Sequence, residues 1–305
     1  MSHAAAANAR NIDEGTFGER ILGVFLPWGT RGRIAIALAM GVACLIFGAG
    51  SQWLAIPQFP GFDGSLLRQP SPAMAVTAVA ILLLLTTIVG TVLAGAVRFE
   101  AGLAAAATGL AVISLRSGTI RSVLFDANGE AGVYITLIGE TIILGIILVC
   151  LWLGLWMWGR AGGVGALNEP TGPEDPSASA ALTARICALA THILATALIL
   201  CLLCQSEAKN QALASVGLAS LAGTLLGYSC FACRPSIWFW ISPLLVGIFG
   251  YAVAAFGQDG SLATASPQGF FAGLARPLPL DYASMGPAGA MIGYWMMHKH
   301  GPAQG

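Results

Sequence analysis

Five stretches of this chain are each apolar and long enough to cross a bilayer: Ile34–Trp53, Ala73–Val97, Val133–Trp158, Ile186–Cys204 and Ile237–Phe256. A spanning helix needs roughly 20 apolar residues, with a working range of about 17–25. In hydrocarbon the backbone N–H and C=O groups must find partners within the segment, which confines such runs to helices. Three further runs are shorter or richer in small residues: Ala101–Leu115, Ala212–Gly227 and Met285–Met297. Each follows its neighbour in the pattern of a helical hairpin or a final return. The expected fold is therefore all-α, a polytopic transmembrane helix bundle of about eight spans, or six to eight if some short runs do not cross. Met285–Met297 contains Pro287 and is the run best suited to a re-entrant path.

Composition points the same way and excludes several classes. Charged residues are 9% of the chain, hydrophobic residues 56%, and mean hydropathy is +0.78. A soluble domain carries about 25% charge. A soluble cytosolic enzyme and a disordered chain are both excluded on this ground. Lys+Arg and Asp+Glu are balanced at 14 each, so no basic surface for nucleic acid is expected. The 7 cysteines are an odd number and sit mostly in apolar runs, which argues against a disulfide framework.

The spans divide the chain into four parts. Residues 1–32 form an N-terminal segment in which Phe17, Ile21, Leu22, Phe25 and Leu26 share one side of an interfacial helix, while Asp13, Glu14 and Glu19 argue against a cleaved signal. Residues 33–160 hold spans one to four and residues 185–305 spans five to eight. Between them, 161–184 reads as a flexible linker rich in Gly, Pro, Ser and Ala. Basic residues favour the cytoplasmic side. With the N-terminus inside, Arg10, Arg20, Arg31, Arg33, Arg98, Arg160, Arg185, Arg234 and Lys299 fall inside, against Arg68, Arg116, Arg121, Lys209 and Arg276 outside. Both termini are then cytoplasmic. The loops 56–71 and 258–284 are expected to fold over the outer face, with Asp63, Asp259 and Asp281 as solvated turn residues. Ala73–Leu115 and Ile186–Gly227 share a plan of long span, polar corner and short span, which would be an inverted repeat if real.

Ionisable groups inside spans are costly and so are candidate functional residues. Glu140, on the same helical face as Thr136 and Leu144, has three readings: an interfacial residue, a packed structural hydrogen bond, or part of a polar path. His192 reads as an interhelical hydrogen-bonding residue, at a depth different from that of Glu140. Two Cys-x-x-Cys pairs occur, Cys201/Cys204 and Cys230/Cys233. The first reads as small apolar residues and the second, beside Arg234, as a weak redox candidate. The topology puts the two pairs on opposite sides of the bilayer, against one shared metal site. Gly223/Gly227 and Gly289/Gly293 are Gly-x-x-x-Gly pairs that let helices approach closely, within one chain more readily than between chains. No nucleotide, zinc-protease or hydrolase signature occurs, so no catalytic residue, cofactor or metal is assigned.

Arg234-Pro-Ser-Ile-Trp238 and Arg276-Pro-Leu-Pro-Leu-Asp-Tyr-Ala-Ser-Met-Gly-Pro-Ala-Gly289 resemble segments of uncharacterised multi-span bacterial inner-membrane proteins with no assigned activity. The resemblance covers about a third of the chain and implies a bacterial inner-membrane location. Two functions fit: a noncatalytic component that packs with itself or a partner membrane protein, or a small-solute transporter or channel with a polar site near Glu140. Lipid is the expected surrounding partner in both.

Overall fold

A computed structural model describes residues 30–54, 64–127, 132–160, 178–231, 236–256 and 272–298. The N-terminal segment with Phe17, most of the 161–184 linker, Asp63, Asp259, Cys233 and Arg234 lie outside them. The described chain is helical throughout: α1 Thr30–Leu54, α2 Pro72–Ala94, α3 Ala101–Arg116, α4 Ile120–Asp126, α5 Gly132–Arg160, α6 Ala178–Leu203, α7 Lys209–Cys230, α8 Ile237–Trp240, α9 Ser242–Phe256, α10 Ala272–Ala275 and α11 Pro279–His298. Six helical stretches are long and apolar enough to cross a membrane: α1, α2, α5, α6, α7 and the continuous Ile237–Phe256 formed by α8 and α9. The chain is an all-α, multi-pass integral membrane protein.

Successive long helices run antiparallel. At one end of the bundle Arg116, closing α3, reaches Ser51 near the close of α1, and Asp281, opening α11, meets Lys209, opening α7. At the other end Glu100, just before α3, meets Trp295 near the close of α11. These are called the Asp281 end and the Glu100 end below.

The helices are not equivalent in their surroundings. Leu38 and Leu45 of α1, Ile81, Ile88 and Val92 of α2, Ile146 of α5 and Leu194, Leu198 and Leu202 of α6 are all exposed. They form the perimeter, which faces hydrocarbon in a membrane. By contrast α3 and α11 are enclosed: nearly every residue from Ala101 to Ser114 and from Pro279 to Trp295 is buried. Helix α11 packs on α3, α5, α7, α8 and α9, and α3 on α1, α2 and α11. This explains their composition. A helix shielded from lipid by other helices needs small residues for close contact rather than long apolar ones for lipid.

Glycine makes those contacts. A Cβ on Gly289 would collide with the Gly217 carbonyl of α7, and one on Gly293 would lie 2.9 Å from the Leu221 carbonyl. On an adjacent face of α7, a Cβ on Gly223 would meet Thr196 and, at 2.6 Å, the ring of His192 on α6, and Gly227 lies against Ala188. Both Gly-x-x-x-Gly pairs thus serve contacts within the chain.

Several boundaries differ from the sequence reading, and α1 begins at Thr30 rather than Ile34. Helix α6 begins at Ala178, inside the expected 161–184 linker. Helices α7 and α11 begin at Lys209 and Pro279, before the expected starts at Ala212 and Met285. Apolar-run counting stops at a charge, whereas Lys209 and Asp281 neutralise one another and let both helices start earlier. Pro287 interrupts nothing, since α11 is continuous through it.

Candidate functional site

Most buried charge in the described chain gathers at the Asp281 end, starting with Asp281 itself. It lies in the first turn of α11, with Pro279 at the first helical position, a preferred place for proline. Its Oδ2 accepts the Leu278 backbone N–H at 2.8 Å, satisfying a donor that the helix start leaves open. A carboxylate there also complements the helix dipole. Its Oδ1 pairs with Lys209 Nζ at 2.8 Å and accepts the hydroxyl of Ser114 on α3. Asp281 therefore ties α11 to α7 and α3 at one point, and it is 1% exposed. The expectation of a solvated turn residue fails here, because three donors replace the water it would have needed.

Lys209 is placed against its own helix. A cation in the first turn of α7 faces the positive end of the dipole, so its position makes sense only through Asp281. Among the described residues its buried ammonium has no hydrogen-bond acceptor beyond this ion pair.

Glu140 lies eight residues into α5, about 12 Å from the helix start at roughly 1.5 Å per residue. It is fully buried. The segment 64–71, which precedes α2, turns inward to meet it. Ser65 donates its hydroxyl to Glu140 Oε2 at 2.5 Å, and the Leu67 N–H reaches the same oxygen at 3.3 Å. Gly64 admits this segment: a Cβ there would lie 2.5 Å from Leu278 and 3.0 Å from Val123. Among the described residues Glu140 Oε1 has no hydrogen-bond partner. Of the three sequence readings, the packed hydrogen bond is present, with Ser65 as its partner.

His192 belongs to a separate site. Its Nε2 lies 3.0 Å from the Ser220 carbonyl and 3.2 Å from Thr224 Oγ1, and its Nδ1 meets the Ser242 hydroxyl. The imidazole thus ties α6 to α7 and α9, with both ring nitrogens engaged, and it makes no bond to Glu140. At the Glu100 end, Glu100 accepts from Ser236 and, at 3.1 Å, from Trp295 Nε1. The sequence places Glu100 only at a polar corner, yet it is 3% exposed. Each of the two corners thus supplies a buried charge that holds one end of α11.

The cysteines stay apart. Cys201 and Cys204 are buried at the close of α6, whereas Cys230 is exposed at the far end of α7. Twenty-two residues of α7, about 33 Å of helix, separate those levels. Burial pushes the Cys204 thiol up to about 12, and the Arg276 guanidinium offsets only part of this. Such a thiol is a poor nucleophile near neutral pH. Among the described residues no group of three or more His, Cys, Asp or Glu side chains is arranged to hold a metal ion.

No protein-family model, no curated protein and no solved structure matches this chain.

Proposed function

We propose that this protein is a noncatalytic integral membrane component, a prepacked helical scaffold that works by association with itself or with a partner membrane protein. The observation that carries this reading is the enclosure of α11. Its middle, Met285 to Met291, is seated on Gly217 of α7 and Pro243 of α9 by backbone-close contacts. A core closed by Gly, Ala, Met and Pro suits a fixed platform better than a path for solute. The resemblance of Arg234–Trp238 and Arg276–Gly289 to bacterial inner-membrane proteins supports that membrane as its location.

A second reading, a small-solute transporter or channel, draws on one observation: the fully buried Glu140 with an unpartnered carboxyl oxygen. Polar groups inside membrane bundles commonly mark transport paths. One experiment separates the two. In cells lacking the protein, E140Q, H192A and C230S/C233S are each supplied at wild-type membrane levels. The scaffold reading expects each to restore the wild-type phenotype. Loss of function in E140Q at normal abundance would overturn it in favour of transport.

A further inference from the structure

We propose that the groove between α2 and α5 is a phospholipid site, with one acyl chain in the groove and the lipid phosphate on Arg68. The groove follows from how the two helices are held. Helix α2 packs on α1 and α3, whereas α5 packs on α9 and α11, and the two touch each other only slightly. The space left between them is about 420 Å³. Its walls are aliphatic apart from the Thr77 hydroxyl, with Val76, Ala80 and Leu84 on α2 and Ile143 and Ile146 on α5. Ile146 and Ile81, another wall residue, are each 57% exposed, so the groove opens outward onto hydrocarbon.

Its length selects the occupant. Val76 to Leu84 is about 12 Å of helix at roughly 1.5 Å per residue. The hydrocarbon core is about 30 Å thick. The groove is therefore the length of one leaflet, the one at the Asp281 end, where α2 begins. A partner helix or a second copy crosses both leaflets and would need a seat along the whole of α2. An acyl chain needs one leaflet. Lipid tails are as apolar as the groove wall, so a chain gains no hydrophobic advantage by entering. It gains the dispersion contacts that an unfilled gap forfeits, and its residence then depends on what holds the headgroup.

Arg68 stands at that level. The segment 64–71 leads into α2 and also lies against α5. The Leu67 N–H reaches Glu140 Oε2 at 3.3 Å, and the Leu67 side chain would lie 3.8 Å from a Cβ on Gly139. Glu140 is one turn above Ile143, and Pro72, opening α2, is one turn above Val76. The segment therefore bridges the two helices just above the groove, and Arg68 follows Leu67 in it. Arg68 is half-buried, and among the described residues it has no ion pair or hydrogen bond. Glu140 accepts from Ser65 and the Leu67 N–H, with no bond to Arg68. Other cations at this end are engaged: Lys209 with Asp281, Arg116 with Ser51, and Arg276 with the Cys204 carbonyl at 2.5 Å. Arg121 of α4 is exposed, and no residue of α4 lines the groove. A half-buried guanidinium without a carboxylate is suited to a phosphodiester, which it can grip with two parallel hydrogen bonds.

The proposal does not depend on the scaffold reading: a lipid can occupy this groove whether or not E140Q restores function. The test is native mass spectrometry of the full-length protein in detergent, titrated with palmitoyl-oleoyl phosphatidylglycerol. Wild type is expected to retain a single lipid per chain. R68Q removes the phosphate contact and A80F fills the groove, and each should weaken retention about tenfold or more. I146W, which blocks the groove from its exposed rim, serves if A80F does not fold. R121Q, at the same end, and L198F, on the α6 perimeter, should leave retention unchanged. Millimolar inorganic phosphate should not displace the lipid, because it has no chain to place in the groove. Equal weakening in R68Q and R121Q would overturn the proposal in favour of general headgroup attraction. Displacement by phosphate, or full retention in both A80F and I146W, would also overturn it. So would a lipid-free dimer that A80F or I146W disperses, since the groove would then seat a second copy.

Discussion

Lys209 and Asp281 are each poorly suited to burial and well suited to one another. Removing one partner of a buried pair leaves a bare charge and costs about 3–5 kcal/mol. Thermal unfolding in detergent should show a loss of that order for K209M and for D281A. The double variant K209M/D281L should lose clearly less than the sum, because it leaves neither charge stranded. Additive losses would mean that the pair is not coupled. Part of this was legible beforehand. Glu140 stands out as the acid inside an apolar run, whereas Asp281 reads from sequence as a solvated turn residue. The partners were not legible. Ser65 meets Glu140 through a loop with no periodicity, and Lys209 meets Asp281 through the packing of two helices distant in sequence.

At the scale of the helix, the glycines divide into those that touch another element and those that do not. A Cβ on Gly289 would strike the Gly217 carbonyl, a backbone atom that cannot swing away. Gly289→Ala should therefore force α7 and α11 apart and cost about 1–3 kcal/mol, as overpacking does. A Cβ on Gly41 of α1 or Gly154 of α5 would have no atom within 4 Å. Gly41→Ala and Gly154→Ala should leave the melting temperature unchanged or raise it, since alanine favours helix by about 0.5–1 kcal/mol. Equal effects at all three positions would refute the assigned contacts. The five long runs were readable as helices because lipid-facing spans announce themselves by length and apolarity. The starts of α7 and α11 were not, since hydropathy cannot foresee that two charges will cancel. The direction of each helix is a further consequence. Cys230 is exposed at the Glu100 end and Gln205 at the Asp281 end. A membrane-impermeant maleimide should reach Cys230 from one side of the bilayer and Gln205→Cys only from the other. Labelling of both from one side would break the alternation.

For the molecule as a whole, the division between perimeter and interior matters most. Low charge alone indicates only a membrane protein. The fold adds a hierarchy, in which long apolar helices meet lipid while α3 and α11, rich in small residues, sit within them. The sequence reading ranked those two runs among its weakest spans because they are short or interrupted by glycine and proline, and that composition is what a lipid-shielded helix requires. Polar contacts then fix α11 at both ends, Asp281 with Lys209 and Trp295 with Glu100. Photoactivatable lipids, crosslinked to the unmodified protein in bilayers and mapped by mass spectrometry, test this arrangement directly. Adducts are expected on exposed residues of α1, α2, α5 and α6, such as Leu45, Ile88, Ile146 and Leu198, and not on 101–114 or 279–295. Adducts across 279–295 as frequent as those on α6 would contradict the enclosed α11 on which the account rests.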